Sequence, residues 1–137
     1  MSRPPSPSAT FLLIAVPMLL TVAGFRLYLH VVRVQHVYQG GYLVHHLFWG
    51  VLLVLPAAFS LAFAPQRKRT LVVDLVLLGA GSGLILDEIV YLVATKASDD
   101  DYVSRPSLLG SLIFVALALA VLGILYRLSR GQPPDLR

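Results

Sequence analysis

Two adjacent pairs, His45-His46 and Asp87-Glu88, carry most of the side-chain chemistry of this chain. Imidazole nitrogens and carboxylate oxygens can together ligate a divalent cation, or exchange protons as base and acid. Both pairs lie within apolar runs. An Asp at the centre of a membrane helix costs about 2.5–3.5 kcal/mol on insertion scales, so these acids call for partners. His45, His46, Asp87 and Glu88 are the candidate metal ligands. His30, His36, Arg26, Tyr42 and Tyr91 are the candidates to surround them. There is no cysteine, so a nitrogen and oxygen set remains, and that suits Zn, Mn or Fe.

Other chemistries compete with the metal. Arg26 would repel a cation, and an Arg26–Asp87 or Arg26–Glu88 ion pair would neutralise buried charge and fix helix packing without any ligand. The ligand spacing matches no defined motif. A metal-bound water with Glu88 as base could attack a lipid ester or phosphate, but Gly81-Ser82-Gly83 is too short for a nucleophile motif. A carboxylate could instead carry a proton in a small proton-coupled transporter. Haem would need His30 with His45 or His46, and the neighbouring carboxylates argue against it. Whether the chain is an enzyme stays open at this level.

The elements that must position these residues follow from composition. Of 137 residues, 57% are hydrophobic and 13% charged, and the mean hydropathy is +0.78. That is an integral membrane protein, not a soluble domain. The net charge of +4 sits mostly at the ends of apolar runs. It therefore reads as membrane topology, and nucleic acid is not an expected partner. The expected fold is an all-α four-helix membrane bundle of one domain. Its spans lie at about residues 10–30, 42–64, 70–95 and 108–126, with disordered tails at 1–9 and 127–137. Pro17 and Pro56 predict kinks. Residues 31–41 read as an extension of the first helix, turning at Gly40-Gly41. The first run is too long, and Val22-Ala23-Gly24 too poor a cleavage site, for a signal peptide.

Basic residues set the expected orientation. Arg3, Arg67, Lys68, Arg69, Arg127, Arg130 and Arg137 fall on one side; Arg33, Lys96 and Arg105, with Arg26 just inside, fall on the other. By the positive-inside rule both termini are cytoplasmic, in a multi-pass protein of the cell membrane. At 1.5 Å per residue, Asp87 and Glu88 then lie roughly 10–12 Å below the outer end of their span, and His45 and His46 roughly 5–6 Å below theirs. Arg26 and His30 end the first span on the same side. One polar cluster in the outer half of the bundle is the expectation.

Helix faces sharpen it. Gly79, Gly83, Asp87 and Tyr91 form one stripe, and Gly79 and Gly83 allow a close helix approach, within the bundle or in a homodimer. Glu88 lies about 100° round, with Gly81 and Leu84. Read as a helix, His46 shares a face with Gly50, and Tyr42 and His45 share one with Trp49. One residue of each pair should then be central and the other set back. Asp74, one turn inside its span and next to Arg67–Arg69, should form an interfacial ion pair with them or rest as a carboxylate near the positive end of the helix. Ser104 or Ser107 should cap the fourth helix, which otherwise closes the bundle as an uncharged wall.

His45, His46, Phe48 and Gly50, with Gly83, Leu84, Asp87 and Glu88, resemble a recurring type of small prokaryotic four-span membrane protein. In that type a His-His-x-aromatic-x-Gly element opens one span, and a Gly-rich span ends in Gly-Leu-x-x-Asp-Glu. The resemblance covers the middle two spans, roughly a third of the chain. It implies that the His and Asp-Glu pairs act together and carries no activity with it. The expected function is thus an intramembrane His/Asp/Glu site occupied by a divalent metal. The alternative is a structural or assembly subunit of a membrane complex, with lipid, a second copy or another subunit as its partners, in which these residues form packing ion pairs.

Overall fold

A computed structural model describes residues 5–32, 38–39, 42–65, 67–95 and 99–131. The chain is an all-α bundle. Its helices are α1 (Pro7–Val31), α2 (His46–Phe63), α3 (Lys68–Ala94), the one-turn α4 (Asp99–Tyr102) and α5 (Arg105–Arg130). Between α1 and α2, β1 (Tyr38–Gln39) pairs antiparallel with β2 (Tyr42–Leu43), setting Tyr38 against Leu43 and Gln39 against Tyr42. The four long helices are each long and apolar enough to cross a membrane.

Local chemistry sets the helix ends. Ser6 caps α1, its hydroxyl accepting from Ala9 N–H at 3.2 Å, with Pro7 opening the first turn. Ser104 and Pro106 do the same for α5. At Pro17, Thr21 turns its hydroxyl back to the Pro17 carbonyl at 2.7 Å. Four boundaries differ from expectation. Helix α1 ends at Val31, the expected turn at Gly40-Gly41 and residues 33–37 lie outside the described residues, and residues 42–43 form β2, so α2 starts only at His46. The amino-terminal helix begins before residue 10. Residues 127–130, expected in a disordered tail, finish α5, where Arg127 and Arg130 complement the negative end of the helix dipole.

Helix α3 is the hub. It packs against α1, α2 and α5, and α1 also meets α5. Two faces of α3 do this. Gly79 and Gly83 turn to α1: a Cβ at Gly79 would collide with the Ile14 carbonyl oxygen, and one at Gly83 would come within 2.6 Å of that of Met18. Gly81 turns to α2, where a Cβ would stand 2.7 Å from the Gly50 carbonyl oxygen, and Gly50 meets Gly81 in the same way. The glycine stripe is therefore used within the chain. On α1 the buried residues Ala15, Met18 and Val22 form one stripe, and on α5 so do Ser107, Ser111 and Val115. The opposite faces expose Leu20, Leu27, Phe59, Leu112, Ile113 and many like them, as lipid-facing surfaces do.

Two classes of glycine should separate on substitution. Gly79→Ala and Gly81→Ala should each destabilise the bundle by about 1–3 kcal/mol through overpacking. Gly24→Ala and Gly123→Ala, where an added Cβ meets nothing within 4 Å, should not. Reversible unfolding in mixed detergent micelles measures the difference.

Candidate functional site

The C-terminal ends of α1 and α3 meet the N-terminal ends of α2 and α5, and the polar residues gather there. Arg26 extends the buried α1 stripe by one turn beyond Val22. Asp87 and Glu88 are neighbours on α3, but 100° of helical rotation sends them to different partners.

Asp87 is fully buried, at 0% exposure. Its Oδ1 accepts from Arg26 Nε at 2.5 Å and from Ser111 Oγ at 2.9 Å, and its Oδ2 accepts from the Tyr102 hydroxyl. The rest of the Arg26 guanidinium is satisfied too. Nη1 donates to the Tyr102 carbonyl at 2.8 Å. Nη2 donates to the Asp87 carbonyl at 3.0 Å, and to the Ser107 hydroxyl and carbonyl at 3.2 and 3.3 Å. The guanidinium carbon also lies 4.5 Å from the Tyr102 ring centre, a cation–π distance. One ion pair thus ties α1, α3, α4 and α5 together.

Glu88 serves α2. Its Oε1 lies 2.6 Å from His45 Nδ1, and its Oε2 accepts the Leu47 backbone N–H at 2.6 Å. That N–H is in the first turn of α2 and has no acceptor within its own helix. The N-cap residue, His45, makes no side-chain cap. A carboxylate from α3 therefore caps α2 across the interface, with its charge at the positive end of the helix dipole.

His46 lies between the two acids. Its Nδ1 is 3.3 Å from Glu88 Oε2 and its Nε2 is 3.4 Å from Asp87 Oδ2. Phe25 packs against one side of the ring at 5.0 Å, and Tyr102 meets it edge-on at 5.6 Å. Nε2 is buried and has no hydrogen-bond partner among the described residues. Tyr91 is buried against Tyr102 at 5.4 Å and lies 6.0 Å from the His45 ring.

His45, His46, Asp87, Glu88, Arg26 and Tyr91 therefore come together. Both histidines reach the acids because His45 sits in extended backbone ahead of the helix and His46 is its first residue, so the 100° rule does not separate them. The expected Tyr42, His45 and Trp49 helical face does not form, since only Trp49 of the three lies in α2. His30 is exposed and takes no part in the cluster, although it lies one turn beyond Arg26. His36 and the Tyr42 side chain lie outside the described residues. Among the described residues no three His, Asp or Glu side chains are arranged to hold a metal ion. Asp74 does not pair with Arg67, Lys68 or Arg69. It is buried and accepts from Ser60 Oγ of α2 at 2.6 Å, while the three cations are exposed.

Three members were not foreseen: Tyr102, Ser107 and Ser111. The serines are fully buried, four residues apart, beside Gly110, whose added Cβ would collide with Val90 of α3. That spacing was the available signal. Tyr102 had none, because a one-turn helix in a polar loop has no periodicity. Burial, and then the Asp87 carboxylate, push the Tyr102 phenol above its ordinary value.

The sign of the pH dependence follows. An unfolded tyrosine ionises near pH 10, and folded Tyr102 ionises higher. The neutral phenol's contribution to stability is complete below about pH 10 and is lost as pH rises from there through the folded value. Unfolding free energy should fall at alkaline pH, and Tyr102→Phe should flatten that fall. Denaturation of both proteins across the alkaline range, followed with tyrosinate absorbance, tests this; equal slopes would remove Tyr102 from the account. Comparison of the chain with protein-family models, curated proteins and solved structures finds no match.

Proposed function

We propose that this chain is a multi-pass cell-membrane protein with cytoplasmic termini, and that it serves as a structural or assembly subunit whose buried ionic cluster locks the spans in one packing. The basic residues on the connecting and terminal segments support the orientation, which puts the cluster in the outer half of the membrane. One observation carries the function. Asp87 is buried with three donors from three other elements, and Arg26 spends its donors on the same neighbours. Groups so fully used hold helices in place and have little capacity left for a ligand.

A second reading rests on His46 Nε2, the buried nitrogen without a hydrogen bond. On it, the cluster is a site for a divalent metal such as Zn, Mn or Fe, with His45, Asp87 and Glu88 contributing. Lipid hydrolysis would then be metal-dependent. Proton-coupled transport through one chain has less support. Asp74 and Glu88 lie on the same α3 face, fourteen residues apart, but the Gly50–Gly81 backbone contact fills the space between them.

Removing one charge should be worse than removing both. Arg26→Gln should destabilise by about 3–5 kcal/mol, because it leaves Asp87 buried and unpaired. Adding Asp87→Asn should recover part of the loss, giving a non-additive double-mutant cycle. Metal analysis of the purified protein separates the readings. A stoichiometric metal lost in His46→Ala would overturn the purely structural one.

A further inference from the structure

The opposite end of the bundle carries a different feature. The start of α1, the end of α2, the start of α3 and the end of α5 meet there, with Arg67, Lys68, Arg69, Arg127 and Arg130 all exposed. Between the first turn of α1 and the last turns of α5 is a pocket of about 400 Å³, lined by Pro7, Ser8, Tyr126 and Arg130. We propose that this pocket binds the phosphate of an anionic lipid headgroup.

The lining is built for an oxyanion. Arg130 carries a planar guanidinium, the geometry that suits phosphate. It is held against Tyr126: its guanidinium carbon lies 5.7 Å from the ring centre and Nη1 donates to the Tyr126 hydroxyl at 3.3 Å. Phe11 packs on the Tyr126 ring from α1 at 5.5 Å, which fixes the phenol between the two helices. The Tyr126 hydroxyl can donate its own proton to an anion, and Ser8 Oγ, 3.0 Å from Ser6 Oγ, adds a second hydroxyl at the rim. The positive end of the α1 dipole adds to the same field.

Position argues for a lipid source over dissolved phosphate. The pocket sits at the ends of two membrane-length helices, where headgroups lie, and Tyr126 stands where aromatic belts form. Beside and below it on α5, Leu128, Leu125 and Ile124 are 57–64% exposed, an apolar surface for the acyl chains of the same lipid. The other exposed cations at this end favour an anionic leaflet. The proposal rests on the helices being membrane spans, and not on the role assigned to the polar cluster.

Delipidated protein in neutral detergent, titrated with phosphatidylglycerol, phosphatidylcholine or inorganic phosphate, provides the test. Native mass spectrometry counts bound lipid, and thermal unfolding reads the effect. Phosphatidylglycerol should bind and raise the unfolding temperature, phosphatidylcholine much less. Arg130→Gln should weaken phosphatidylglycerol binding about tenfold, Arg130→Lys and Tyr126→Phe by less. The Arg67→Gln, Lys68→Gln, Arg69→Gln triple variant should retain the saturable site. Unchanged binding by Arg130→Gln, or equal binding of the two lipids, would overturn the proposal. So would protection by inorganic phosphate alone to the same extent, which would assign the pocket to free phosphate. Because Arg130 is exposed at the last turn of its helix, circular dichroism of each variant separates lost binding from lost folding.

Discussion

The Arg26–Asp87 ion pair is the constraint on which the rest of this bundle depends. Each charge alone would be costly at this depth, and neither can leave its helix. The pair therefore requires α1 to lie beside α3 at the register that brings residue 26 to residue 87. It also constrains the connection to α5, because Arg26 donates to carbonyl oxygens of both Tyr102 and Ser107, one on each side of the α4–α5 junction. A buried pair of this kind adds little net stability compared with apolar packing, since desolvation offsets most of the Coulombic gain. What it adds is a large penalty for every other arrangement. Slipping any of the four elements leaves a charge or a hydroxyl without its partner.

That selectivity matters because lipid offers no hydrophobic drive for one helix to choose another. Helix α3 makes its contacts by two other means, arranged on two faces. Toward α1 and α5 it presents Gly79, Gly83 and then Asp87; toward α2 it presents Asp74, Gly81 and then Glu88. Along each face glycine allows backbones to approach, and a carboxylate fixes the register. On the α2 face the acids hold both ends: Ser60 is bonded at one, and His45 and the Leu47 amide at the other. Residues 74, 81 and 88 recur every seven, which returns to almost the same direction on a 3.6-residue helix. Both faces thus use the same device.

Much of this was legible in the sequence because helix geometry carries it. The spans follow from apolar run length, the shared depth of Arg26, the histidines and the acids from rise per residue, and the aim of Asp87 from the glycine stripe. The parts that were not legible lie where the periodicity stops. His45 and His46 were separated by a helical rotation that does not apply across an N-cap. His30 shares its depth with the cluster but is exposed, so depth is not contact. Asp74 lay in sequence near three cations, yet its place on the α2 face turns it toward a serine. Tyr102 sits on a single turn whose position depends on the tertiary contact it makes. Ser107 and Ser111 have the right spacing, but serine in a membrane helix so often satisfies itself on its own backbone that spacing alone does not mark a site.

The geometry also bears on how a metal and the lock would coexist. A cation on His46 Nε2 would lie about 2 Å from each of its ligands. Nε2 is 3.4 Å from Asp87 Oδ2, whereas it is the other ring nitrogen, Nδ1, that lies 3.3 Å from Glu88 Oε2. The nearest oxygens are Asp87 Oδ2 and Glu88 Oε2. The first is held by the Tyr102 hydroxyl and the second by the Leu47 amide. Loading such a site would draw on the oxygens that fasten α4 and cap α2. A metal-bound form would therefore differ from this packing at two identifiable places, the α4 turn and the first turn of α2. The structural and metal-binding readings thus call on one set of acceptors, and here those acceptors take hydrogen bonds from Tyr102 and Leu47.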